Sequence, residues 1–172
     1  MNNITREKAA KKVAEYFGTR AWYADREYGY SSWACKDPQG RVWKFQKDVS
    51  IYGPDAEKCE LVTPILIYED IETLQDIIRL LRKAGGKSGP SRGCGVHIHI
   101  GVGDHTAKTL RNLVNIMAAH ERQIGRAIRI DAGRTGHYCQ VVNHRFLERL
   151  NREKPTTMNR LADIWYEGNG SS

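Results

Sequence analysis

SSWACKDPQGRVWKFQK (residues 31–47) reads as two β-rich runs, 31–36 and 41–47, joined by Asp37-Pro38-Gln39-Gly40. Proline and glycine stand there where a tight turn prefers them, so the stretch predicts an antiparallel hairpin. Downstream, KCELV (58–62) predicts a further strand, stopped at Thr63-Pro64 because proline disfavours helix in the residue before it and cannot donate to a ladder. Upstream, Thr5 is placed to N-cap a helix with Ala9, Ala10, Val13, Ala14 and Phe17 on one face, ending at Gly18. From Glu69 the period moves to about 3.6 with Ile71, Leu74, Ile77, Ile78 and Leu81, acids at the start and Arg82-Lys83 before Gly85-Gly86.

CGVHIHIGV (94–102) alternates and predicts another strand, with Val96, Ile98 and Ile100 facing the core. A long helix is predicted from about Asp104 to Arg129, with Ala107, Leu110, Leu113, Val114, Met117, Ala118 and Ile128 as its buried stripe. Two shorter helices are predicted near 144–152 and 157–166. A hairpin and strands with helices collected to one side define an α+β fold built on an antiparallel sheet. A chain of 172 residues with no internal repeat or linker is the size of one domain, predicted over 1–167, with a disordered tail at 168–172.

The hydrophobic fraction of 40% and charged fraction of 27% exclude a disordered or collagen-like chain. No apolar run approaches the roughly 18 residues of a spanning helix, and MNNITREKAAKK lacks the apolar core of a signal peptide, so the expected location is the cytoplasm, with no membrane contact. Cys35, Cys59, Cys94 and Cys139 are far apart and form no C-x-x-C pair, which points to reduced thiols. The net charge of +7 is uneven: residues 1–106 carry 16 basic and 14 acidic side chains, whereas 107–154 carry 10 and 4. That basic half fits an acidic protein or ribonucleoprotein surface or a nucleic acid, and equally a solvated surface.

His97 and His99 on one strand leave the same face about 6–7 Å apart, a spacing at which neutral rings share a metal and protonated rings hold a phosphate, although a half-exposed strand can also simply carry them. Gly93, Gly95 and Gly101 around them permit close approach by a neighbour or a ligand. Glu60 is a carboxylate within a strand, an unusual choice unless its face is wet or holds a cation. Asp48 can reach the same surface or be a turn residue. Glu60, Asp48, His97 and His99 are therefore the candidate catalytic residues, and Glu60, His97 and His99 the candidate metal ligands. Arg122, Arg126 and Arg129 share a helix face, and Arg134, His137 and Tyr138 follow in DAGRTGHY, so the four arginines are candidate partner contacts. The usual phosphate-loop, dinucleotide and nucleophile-elbow motifs are absent, and a nuclease using the two histidines lacks a positioned third group.

WKFQKDVSI (43–51), CELVTPIL (59–66), CGVHIHIG (94–101) and AAHERQIGRAIR (118–129) together resemble the amidoligase family over most of the chain. The resemblance implies a glutamine-synthetase-like fold whose antiparallel sheet cradles ATP and Mg²⁺. It implies a carboxylate–amine ligase in which Glu60 is a metal-binding or acid residue, His97 and His99 line the nucleotide or metal site, and Asp48 approaches the substrate. Members of that family usually open with an F-G-x-E-x-E strand and continue into N-L-H-like and E-F-R-like strands. Against that pattern the chain is expected to be truncated at both ends and to lack full ligase activity. The expected role is then binding a protein or nucleic-acid-containing partner, in concrete form as an anti-defence inhibitor of a phage or mobile element, with an active ATP- and Mg²⁺-dependent ligase as the alternative.

Overall fold

The computed structural model describes residues 1–24, 29–130, 133, 136 and 140–169. It divides into two compact units, 1–97 and 98–172.

Unit one opens with helix α1 (Arg6–Phe17). The Thr5 side chain accepts the Lys8 amide at 3.2 Å, and Gly18, at φ +67°, closes the helix with its N–H on the carbonyls of its last turn. The predicted hairpin is strands β2 (Trp33–Lys36) and β3 (Val42–Gln46), paired antiparallel with Cys35 opposite Trp43. A short strand β1 (Trp22–Tyr23), not foreseen from the sequence, lies on one side of the hairpin, and β4 (Glu60–Val62) on the other. All neighbours in this four-stranded sheet are antiparallel, so the class is α+β. Helix α2 (Ile71–Lys83) follows a 3₁₀ turn at Tyr68–Asp70.

Alternation decides the core. Trp33, Cys35, Trp43, Phe45 and Leu61 share one sheet face by register, and α1 covers it with Ala9, Ala10, Val13 and Ala14, while Ile77 and Leu81 of α2 complete the cluster. The turn is fastened by a network rather than by backbone alone. Asp37 is buried and accepts Trp43 Nε1 (3.2 Å), Arg41 Nε (2.7 Å) and the amides of Gln39 and Arg41, and the Arg41 guanidinium clamps Asp70 with two bonds of 2.8 Å. Burial pushes the Asp37 carboxyl up, but its hydrogen bonds to Trp43 and Arg41 outweigh that and hold it below the usual carboxylate range. Asp70 is held at about 2, first by Arg41 and then by the Ile67 amide.

Unit two contains α3 (Ala107–Ala127), α4 (His144–Glu153) and α5 (Met158–Asn169). Its core is small: Phe146, Leu150 and Ile164, with Val114, Val142 and Leu161 against them. Asn115 and Asn151 exchange amide hydrogen bonds of 2.9 and 2.7 Å between α3 and α4, and Glu121 accepts the Val142 amide at 2.9 Å. The expected buried stripe of α3 is corrected here, since Leu113, Met117 and Ile128 are exposed. The helix has apolar residues on two sides, and the Phe146 cluster covers only the side that includes Val114.

The predicted strand 94–102 is also corrected. No residue of it belongs to a strand, and Val96, Ile98 and Ile100, expected in the core, are 89%, 81% and 87% exposed. Alternation makes a strand only where a neighbour satisfies its backbone N–H and C=O groups, and none of the described strands pairs with this segment. Among the described residues, no helix is long and apolar enough to cross a membrane.

Candidate functional site

The face of the sheet away from α1 carries the polar groups. By the same alternation and register it presents Trp22, Ala34, Lys36, Val42, Lys44, Gln46, Glu60 and Val62. Two of these are locked together. Gln46 and Glu60 stand directly opposite on β3 and β4, and Gln46 Nε2 donates to Glu60 Oε2 at 2.9 Å. Both side chains are half-buried, and the bond fixes the orientation of the carboxylate at the sheet surface. Lys36 and Lys44 are exposed, and neither forms an ion pair among the described residues. Lys47, on the next residue but two, is by contrast paired with Asp55 at 2.7 Å.

Asp48 lies in the turn leaving β3, where its Oδ1 accepts the Ser50 amide at 2.9 Å and the Ser50 hydroxyl at 2.7 Å. One carboxylate oxygen therefore builds an Asx-type turn. The next layer explains Gly93. At φ +69°, any Cβ on Gly93 would stand 2.1 Å from the Ser50 carbonyl oxygen, so only glycine lets the two backbones meet. The Tyr52 amide donates to the Arg92 carbonyl at 2.9 Å, and together these contacts strap the start of the histidine segment beside the Asp48 turn.

His97 is the last residue of unit one and His99 belongs to unit two; both are exposed and lie outside any strand. The sheet face that was to present them together does not include them. Among the described residues, no three His, Cys, Asp or Glu side chains come together to hold a metal ion. The donor set at Glu60 is one carboxylate, half of it engaged by an amide, which does not fit a protein-built magnesium site.

Arg122 and Arg126 project from α3, and Arg129 follows it at φ +55°; all three are exposed and none forms an ion pair among the described residues. Arg134, His137, Tyr138 and Cys139 lie outside the described residues. Cys35 and Cys59 are free thiols. Burial pushes the Cys35 thiol up to about 11 and the Cys59 thiol up to about 12, which keeps both protonated and unreactive at neutral pH.

Sequence reasoning singled out Glu60 but passed over Lys36, Lys44 and Gln46. Their signal was present in the alternation of Trp43-Lys44-Phe45-Gln46: once Trp43 and Phe45 face the core, Lys44 and Gln46 must share the other face. What alternation could not supply was the register that sets Gln46 against Glu60.

An antiparallel sheet with one face covered by helix and an acid-bearing opposite face defines an α+β protein. The family described as "Putative amidoligase enzyme" matches residues 1–172, and the chain belongs to that family. Neither the comparison with curated proteins nor that with solved structures found a match.

Proposed function

We propose that the chain is a ligase domain that joins a carboxylate to an amine at the open sheet face. Enzymes of its family generally use ATP and Mg²⁺. The reaction transfers the γ-phosphoryl group of ATP to a carboxylate oxygen, giving an acyl phosphate and ADP. The amine nitrogen then attacks the acyl carbon, phosphate leaves, and the nitrogen loses a proton as the amide forms. The observation that carries this reading is the Gln46–Glu60 pair, because a held carboxylate on a wet surface is suited to take the proton of the attacking amine. Trp22, half-exposed at the edge of the same face, offers a ring for a base to stack on. No step is assigned to a metal ion, because the described residues do not assemble a site for one.

Hydroxylamine tests this without knowledge of the natural amine, since it captures an acyl phosphate as a hydroxamate. The protein, ATP and Mg²⁺ are incubated with hydroxylamine and the small-molecule fraction of a bacterial extract as carboxylate source. Formation of ADP and hydroxamate together, falling about a hundredfold in Glu60→Gln, is the expected result. ADP and hydroxamate formation indistinguishable from a protein-free blank overturns the reading.

A second reading is favoured by one separate observation, the way charge divides in unit two. Glu153 is tied by Arg149 (2.8 Å) and Arg160 (2.5 Å), Glu167 by Arg149, and Glu148 lies 3.6 Å from His144, whereas Arg122, Arg126 and Arg129 form no ion pair among the described residues. The surplus cations on α3 support binding an acidic protein or ribonucleoprotein surface, with inhibition of a nucleic-acid-handling complex as the specific form. Fluorescence anisotropy with a labelled single-stranded RNA and with polyglutamate measures it. Binding that weakens with salt and is abolished by Arg122→Glu with Arg126→Glu supports this reading, and no binding to either probe removes it.

A further inference from the structure

Lys36 and Lys44 are diagonal neighbours, since Lys36 stands opposite Val42 and Lys44 opposite Ala34 in the β2–β3 register. Diagonal positions on one face lie about 7–8 Å apart, within joint reach of one anion for side chains of this length. Two unpaired ammonium groups so placed repel each other unless a counter-charge sits between them. The one acid that these strands bring to the face is Glu60. It is itself diagonal to Lys44, because Lys44 pairs with Val62 and Gln46 with Glu60. A lysine and a glutamate at such positions would ordinarily form an ion pair, yet Glu60 is held by Gln46 instead and Lys44 keeps its charge unspent. The other two corners of the square that the lysines span are Ala34 and Val42, so no charged side chain separates the two lysines.

We infer that Lys36 and Lys44 bind a phosphate group on this face, and that Gln46 is a positioning residue that holds Glu60 away from Lys44. The compact ammonium, a point charge with three donors, suits a tetrahedral anion. The inference rests on the ligase reading for the identity of that phosphate, which would be the transferred group of the acyl phosphate or of the nucleotide. It does not rest on that reading for the existence of the site.

The experiment is an NMR titration of the ¹³C-labelled protein with inorganic phosphate, without nucleotide or metal, following the ε-methylene signals of Lys36 and Lys44. Acetate at matched ionic strength is the control. The expected result is a saturable shift of both lysines with phosphate and not with acetate. Lys44→Met abolishes it. Gln46→Leu weakens phosphate binding by about threefold to fivefold, because the freed Glu60 now competes for Lys44. The double variant Gln46→Leu with Glu60→Gln restores binding to the level of Glu60→Gln alone, an outcome that a merely structural role for Gln46 would not produce. Shifts that are absent, or the same with acetate, overturn the phosphate site. A double variant as weak as Gln46→Leu overturns the positioning role. Phosphate binding with a blank hydroxamate assay would sink the ligase reading alone, and hydroxamate formation without phosphate shifts would sink this inference alone.

Discussion

Residues 42–46 and 94–102 carry the same alternating pattern and meet opposite fates. In Val42–Gln46 every second side chain is buried, and two neighbouring strands satisfy the backbone. In 94–102 the pattern is at least as regular, but no described strand pairs with it and its four aliphatic residues are exposed. The lesson is that period two states which side chains could share a face, whereas a ladder partner decides whether there is a face at all. The helices repeat the contrast. One side of α1 is wholly buried because a sheet lies beneath it, while α3, of comparable amphipathicity to the eye, has a three-residue core to pack on.

The sharpest way to break this comparison is to remove what holds 42–46 in place. Trp43→Ala takes a fully buried ring and its Asp37 bond from the centre of unit one and is expected to cost about 3–5 kcal/mol, read by urea unfolding. If the cost were under about 1 kcal/mol, the α1-covered face would not be the core. Asp37→Ala should follow at about 3 kcal/mol, since it leaves Trp43 Nε1, the Arg41 amide and the Arg41 guanidinium without their acceptor.

Acid offers a gentler probe of the same clamp. Asp37 and Asp70 both titrate below an unfolded aspartate, so the stability they contribute is complete above about pH 4 and is lost as pH falls toward about 2. Tryptophan fluorescence across that window should show unit one loosening, and Asp70→Asn should flatten the pH dependence. An unchanged acid profile in that variant would contradict the assigned clamp. Gly93→Ala sharpens the comparison from the other side. It is expected to cost at least about 2 kcal/mol through its left-handed backbone and its clash with Ser50, and to release the strap at 89–94, seen as faster amide exchange at Tyr52. Smallest are the helix caps: Thr5→Ala and Thr106→Ala should each cost about 1 kcal/mol, measured by thermal unfolding.

Local chemistry was legible wherever a residue acts on its neighbours in sequence. Thr5, Gly18, the Asp37–Gly40 turn and the helix over 71–83 could all be placed from spacing, because caps and turns close over a few residues. Glu60 stood out for a related reason, since a carboxylate in a short strand is unusual unless its face is wet or holds a cation. Lys36, Lys44 and Gln46 were not, because their meaning lies in a register between strands 14 or more residues apart for the Gln46–Glu60 pair, and loop closure leaves that register open. The two histidines were misread for the converse reason: a regular pattern was taken for a strand whose partner only the fold could provide.

What the amino-acid order determines by itself, then, is the α+β class, the hairpin, the helices and the uneven charge, all set by propensity, period and composition acting locally. Only the tertiary structure decided which face of the sheet is buried and that Gln46 holds Glu60. It alone decided that Ser50 tolerates nothing larger than glycine at position 93. Those outcomes depend on backbone hydrogen bonds and contacts between segments far apart in the chain, whose free energy exists only once the whole sheet has assembled.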